Sequence, residues 1–248
     1  YGLKTGFNEA FYIDNATKNA IVASDPRSAD VIRRYLRGQD LRRWFPEWSG
    51  LWAIVLKSSN DWSWPWTGNG DAEAVFAATY PGVYQHLKPL EDKLRARSDQ
   101  GLNWWELRSC AYYSAIEVPK VCIQRIAFHP RVAIDQSGIY VNDATIFLPT
   151  VDPWVVACLN SPAMWYYAFR TFPHKKDEAL AMDVPYVDEM PIPNPTEQAR
   201  DQSVRTVEAL GMWQAAAQAG RHSFLDWLRV EHEIEKPSQK LQSPTGLD

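Results

Sequence analysis

The chain has 248 residues, of which 46% are apolar and 23% charged, with a net charge of −4 and a pI near 5.8. Such a composition excludes wholesale disorder, and 12 tryptophans supply ample core for one large domain or two small ones. No apolar run reaches the ~20 residues of a membrane-spanning helix, and the acidic balance argues against an indiscriminate grip on a polyanion.

Gly6 to Ile13 alternates and is expected as a strand, with Ile21-Val22-Ala23 as its hairpin partner across an Asn15–Asn19 turn. Asp30 to Leu36 reads as a short helix, capped by Ser28 or Asp30 and ended by Gly38. Trp52 to Leu56 is a buried strand, and the Trp-, Gly- and Asn-rich stretch from Asp61 to Asp71 is a loop. From Asp71 to Arg97 apolar residues recur at helical spacing, interrupted by Pro81 and Pro89, so two helices or a kink are expected. Short strands come next at Lys120–Ile126, Val132–Asp135, Tyr140–Val141 and Thr145–Leu148, then helices at Pro153–Asn160 and Ala163–Phe172, then a polar loop from Pro173 to Val184. Asn194-Pro195-Thr196-Glu197 opens the last helical part, with Asn194 as N-cap and Pro195 in the first turn. Gly220 is expected to divide that part in two, and Pro237 to end it. These elements predict an α+β fold: a mostly antiparallel twisted sheet with flanking helices, followed by a helical C-terminal extension. The boundaries are a domain over 1–193, a helical spacer over 194–236 and a loose tail over 237–248.

Cys110, Cys122 and Cys158 are odd in number and far apart, which argues against a disulfide framework or a Cys-rich metal site. Buried core thiols and a reducing cytoplasm fit them. No metal site and no catalytic constellation is legible. Glu91-Asp92-Lys93 has the acid-x-Lys spacing of a nuclease site but lies in a helical stretch among other charges, as a solvated face would.

Several segments together resemble a known family. They are Lys4-Thr5-Gly6-Phe7-Asn8-Glu9-Ala10-Phe11, Leu36-Arg37-Gly38-Gln39-Asp40-Leu41-Arg42-Arg43-Trp44, Tyr80-Pro81, His86-Leu87 and Trp104-Trp105-Glu106-Leu107-Arg108. Pro119-Lys120-Val121, Asn142-Asp143, Leu159-Asn160-Ser161 and Pro191-Ile192-Pro193 complete the order. In that order the chain resembles the specificity domain that comes after the methyltransferase domain in TaqI-like and Eco57I-like restriction-modification enzymes. The tail from Trp227 to Leu241 is similar to the segment C-terminal to that domain in large bacterial members. The resemblance implies a piece of a longer enzyme that starts, here, at Tyr1: an adenine-N6 methyltransferase upstream, sometimes with a fused nuclease. It also implies double-stranded DNA and the upstream domain as partners, and S-adenosylmethionine bound upstream. The family's catalytic Asn-Pro-Pro-Tyr type motif and its cofactor loop are absent, since Asn194-Pro195 opens a helix and Gly68-Asn69-Gly70 is a lone turn. No turnover and no cofactor are therefore expected of this chain.

Arg suits guanine edges, Asn and Gln suit adenine, and Lys and Arg suit phosphates. Residues 1–135 hold 17 Lys and Arg against 15 Asp and Glu, and residues 136–248 hold 9 against 15, so local clusters decide where a duplex can lie. Four groups stand out. Lys4, Thr5 and Asn8 would touch phosphate or merely shape a turn with Gly6. Arg37, Arg42 and Arg43, with Arg33 and Arg34, would form a phosphate ridge or pair with Asp30, Asp40 and Glu47; Arg33 and Arg37 would share a face if helical. Gln124, Arg125, His129 and Arg131 surround an expected hairpin, with Gln124 or Arg131 as base reader. His174, Lys175 and Lys176 form an exposed loop beside Asp177 and Glu178. Trp62, Trp64 and Trp66 either stack a sugar or displaced base or fold back as core, and Trp104 and Trp105 read as framework. Two further functions stay open: a protein-docking module of the same enzyme, and a carbohydrate-binding module.

Overall fold

The structure, a computed structural model, describes residues 2–238 and Leu241. The segment expected as a strand begins as one helical turn, α1 (Asn8–Phe11), and only Tyr12–Ile13 (β1) is extended. Asp14 then redirects the chain. Its carboxylate accepts from the Thr17 amide at 2.8 Å and caps α2 (Asn15–Ser24), so Ile21-Val22-Ala23 lies on a helix and the expected hairpin is not formed. The residues read as a helix from Asp30 are also corrected. A 3-10 turn over Pro26–Val31 leads into β2 (Ile32–Leu36). Pairing outweighs local propensity here, because β2 has strand neighbours on both sides and buries Tyr35 and Leu36.

Those neighbours are β3 (Trp52–Ile54), which runs antiparallel to β2 and to β1, and β7 (Tyr140–Val141), which runs parallel to β2. The helical stretch after the Trp loop divides at its prolines as the pattern predicts, into α3 (Ala72–Thr79), α4 (Pro81–Leu87), a 3-10 turn over Lys88–Leu90 and α5 (Glu91–Ala96). On α5, Glu91 pairs with Lys88 and Arg95 at 2.6 Å each, and the Lys93 ammonium lies over the Phe7 ring. The acid-x-Lys spacing is thus a charged surface.

After the short α6 (Tyr113–Ile116) comes a second sheet: β4 (Lys120–Gln124) between β6 (Val132–Asp135) and β8 (Thr145–Leu148), both antiparallel to it. The loop between β4 and β6 carries β5 (Ile126–Ala127), which pairs with β9 (Leu180–Ala181) in a separate two-stranded ribbon. Helices α7 (Pro153–Leu159), α8 (Pro162–Thr171) and α9 (Val184–Val187) surround this half. The fold class is the expected α+β with antiparallel sheets, flanking helices and a long C-terminal helix, and the strands divide among three sheets.

Two apolar cores result. One is aromatic: Trp66 stacks on Trp64 at 4.9 Å, Phe76 stacks on Trp105 at 4.9 Å, and Tyr35 stacks on Tyr12 at 3.9 Å. The other, aliphatic, joins Val121, Ile123 and Ile146 to Val156, Met164, Leu180 and Val207. Leu36, Leu41, Cys122, Ala133, Ile139 and Val141 form a small cluster drawn from strands of both halves. All three cysteines are free thiols, and burial pushes Cys122 up to about 12, which leaves it inert.

The last helix, α10 (Glu197–His232), is one piece of 36 residues. Two expectations are corrected here. The N-cap is Thr196, whose hydroxyl accepts from the Ala199 amide at 3.2 Å, in place of Asn194. Gly220 does not interrupt the helix, which ends at Glu233 in the left-handed region (φ 55°). Of the expected tail, residues 239, 240 and 242–248 lie outside the described residues.

Candidate nucleic-acid interface

Of the four predicted groups, the first is largely turned inward. Thr5 is buried, its hydroxyl donates to Asn8 Oδ1 at 2.7 Å, and Gly6 takes φ +71°. Lys4 pairs with Asp99 at 3.0 Å and keeps half its side chain exposed. Beneath them lies Arg97, a residue that pattern reading missed. Its guanidinium, 6% exposed, donates to the carbonyls of Thr5 (2.7 Å), Trp104 (2.8 Å), Leu94 and Asp99 (3.2 Å each) and Glu106. Burial pulls its pKa down to about 10, so it stays charged at neutral pH.

The arginine group forms no helical ridge, because Arg33 and Arg34 lie on β2. Arg37 holds both Asp40 oxygens, at 2.7 and 2.8 Å, and that hydrogen bonding raises its pKa. Arg42 pairs with Glu47 at 2.7 Å; Arg43 donates to the Asn160 carbonyl at 2.7 Å and covers Trp44. Arg33 donates to the Ala29 and Ile32 carbonyls, and the Arg34 guanidinium lies 4.7 Å from the Trp48 ring centre. All five have intramolecular partners, and the pairing alternative accounts for this group.

The third and fourth groups, 43 or more residues apart in sequence, are brought together. The loop over 125–130 leaves the second sheet at Gln124, whose amide donates to the Arg131 carbonyl at 3.1 Å. Its Ile126 and Ala127 pair with Ala181 and Leu180, and the Met182 amide donates to the Arg125 carbonyl at 2.7 Å. On the far side of β9, His174 bridges to Leu180 and the Lys175 amide donates to the Ala179 carbonyl at 2.7 Å. Three chain segments therefore form one small ribbon edge. Arg125 pairs with Asp183 at 2.5 Å, and Arg131 Nε donates to His129 Nε2 at 3.0 Å. Lys175 and Lys176 are exposed, and neither has an ion-pair partner among the described residues.

Backbone strain marks the same loop. Asp177 and Glu178 both sit in the left-handed region (φ 59° and 63°), which L side chains rarely adopt. This turn brings Glu178 back onto His174 Nδ1, while Nε2 meets the Phe169 carbonyl at 2.8 Å and the ring contacts that of Phe169. Those two bonds, the backbone one first, raise the His174 pKa. Contact with Phe169 places the end of α8 beside the loop, which adds a residue the sequence reading left out. Arg170 is exposed and without a partner among the described residues. Its signal was the Tyr166, Phe169 and Arg170 spacing, which puts two exposed aromatics and a cation on one helix face.

In the Trp loop, Trp64 and Trp66 fold back on the core and Trp62 stays half exposed. Trp66 is buried, Trp64 stacks on it, and Trp62 shields the Lys57 ammonium, which lies 4.2 Å from its ring centre and 2.9 Å from Glu117. Lys57, Trp62 and Trp64 with Arg33 and Tyr80 line a hollow of about 280 Å³. Trp104 and Trp105 are buried framework, as read. Among the described residues no group of three or more His, Cys, Asp or Glu is placed to hold a metal ion, and no helix is long and apolar enough to cross a membrane.

The fold is similar to that of a solved structure of the Type IIL restriction-modification enzyme MmeI in complex with DNA. The TM-score is 0.58 at 15% sequence identity, over 88% of this chain and 27% of that one. At that identity the likeness is one of fold. No protein-family model and no curated protein matches the sequence. The chain spans about a quarter of that enzyme's length.

Proposed function

We propose that this chain is the DNA-recognition module of a restriction-modification enzyme, without catalysis of its own. In the parent, an adenine-N6 methyltransferase domain upstream would hold S-adenosylmethionine, with or without a fused nuclease, in the cytoplasm. The finer likeness to TaqI-like specificity domains belongs to this proposal and rests on the ordered motifs. One observation carries it: the ribbon edge unites Gln124, Arg125, His129 and Arg131 with His174, Lys175 and Lys176, and adds Arg170 beside them. Base-reading chemistry thus shares one edge with Lys175, Lys176 and Arg170, none of which has an ion-pair partner among the described residues, as a protein that fixes its register on phosphates and reads bases requires. Similarity to a DNA-bound enzyme of this class supports the same reading.

The test is fluorescence anisotropy of the chain with labelled duplexes at low salt. Lys175→Ala and Lys176→Ala should each weaken binding uniformly across sequences. Each should also flatten the salt dependence by about 0.9 in log–log slope for every phosphate no longer neutralised. Arg131→Ala should cost about 1–3 kcal/mol and relax the preference at one position if it reads a base. Binding that is indifferent to all three substitutions removes this edge from the proposal.

A docking role for α10 is a second, compatible reading. Met212, Trp213, Trp227 and Val230 are at least half exposed or nearly so, and such residues on one helix favour a protein contact. For the carbohydrate reading, Trp66 and Trp64 pack on the core, which leaves Trp62, 48% exposed, as the residue of that loop most open to a sugar.

A further inference from the structure

We propose that Phe128 is an apolar wedge that enters the base stack and opens one base step of a bound duplex. The proposal rests on the DNA-recognition reading and concerns what that edge does to DNA. Phe128 stands at the apex of the loop between β4 and β6 and is 62% exposed, whereas its neighbour Ala127 is 3% exposed.

The stem beneath it is held on every side. The Gln124 amide donates to Arg131, the Arg125 amide donates to the Ala144 carbonyl at 2.9 Å, and Ile126–Ala127 are paired with β9. Pro130 further limits the apex, since it restricts the residue before it to extended backbone. A large, mostly exposed ring on a braced stem is no consequence of a slack loop.

The surroundings identify the occupant by charge. Phe128 directly follows β5, which pairs with β9, and the segment of Lys175 and Lys176 bonds to the start of that same strand, with Arg131 at the base of the loop. Glu178 is engaged by His174 and Asp183 by Arg125, so Lys175 and Lys176 outnumber the exposed Asp177, and a protein partner would have to bring net negative charge to this edge and an apolar socket to its centre. A duplex brings phosphates on both sides of a groove and an apolar stack between them. Inserted apolar side chains part base steps in this way and kink the helix, at an energy that depends on the sequence being deformed. Pyrimidine–purine steps such as TA open readily and A-tracts resist, so the wedge makes deformability part of the specificity.

The experiment uses the full chain and two duplexes of equal length and base composition. One carries central TA steps and the other an A-tract, each with 2-aminopurine at the centre. The wild-type chain should bind the TA duplex more tightly, on the order of tenfold, with a rise in 2-aminopurine fluorescence as stacking is broken. Phe128→Ala should keep its thermal melt and the salt slope of binding yet lose both the fluorescence rise and the preference. Phe128→Trp should keep them. Wild-type binding without any fluorescence rise, or a rise that survives in Phe128→Ala, overturns the wedge and leaves the DNA-recognition reading standing. Failure of the wild-type chain to bind either duplex at low salt overturns that reading and the wedge with it.

Discussion

Arg97 shows how a single residue acquires its role from the fold. It satisfies five backbone carbonyls from three stretches of chain and lies over the Phe11 ring at 4.6 Å. Arg97→Met would remove the guanidinium donor from all five carbonyls, of which that of Glu106 keeps the Gly101 amide, and a loss of about 3–5 kcal/mol is expected, read from urea unfolding. His174 acts on the surface. Its pKa is raised by the Phe169 carbonyl and Glu178, so the folded state favours the imidazolium. The stabilisation is complete below the unfolded value of about 6.5 and is lost as pH rises through the higher folded value. An NMR titration of the ring should show the raised midpoint, and Glu178→Gln should lower it. DNA binding should weaken over the same pH interval as the charge beside Lys175 disappears.

At the level of elements, α10 tests propensity against context. Gly220 lies inside the helix and a Cβ there would meet nothing within 4 Å. Gly220→Ala should therefore raise stability by about 0.5–1 kcal/mol and increase helicity by circular dichroism. A fall in stability would mean that the glycine marks a working bend. Gly138 predicts the reverse. It adopts φ +68°, and a Cβ would sit 2.3 Å from the Glu117 carbonyl oxygen, so Gly138→Ala should cost well above ~1 kcal/mol in the same unfolding assay.

Across the whole molecule, the halves are joined by pairing as well as packing. β7 comes after the second sheet's β6 in sequence yet lies beside β2 of the first, and the Gly38 amide donates to Asn142 Oδ1 at 3.0 Å. The helical extension is also tied in. Val207 belongs to the aliphatic core and Arg200 pairs with Asp152 at 2.8 Å. Removing the chain after Pro193 should consequently lower the melting temperature and speed proteolysis around α7. An unchanged melt would show that α10 is an independent spacer.

Some of this was legible in the sequence because it is local. The prolines at 81 and 89 cut the helical run where φ restriction and a missing N–H require it, the alternating strands from Lys120 to Leu148 formed, and the Trp104-Trp105 pair is framework. The errors lie where local signals conflicted with distant partners. Asp14 as a cap outweighed the strand-like Ile21-Val22, and pairing on two sides extended Arg33 and Arg34 into a strand. The candidate site divides the same way. Residue chemistry nominated four groups without ranking them, since no local signal shows which arginines face Asp40, Glu47 or a carbonyl. Only the pairing of β5 with β9 separates them: long-range hydrogen bonds set two remote segments on one edge and left Lys175, Lys176 and Arg170 beside it without carboxylate partners among the described residues.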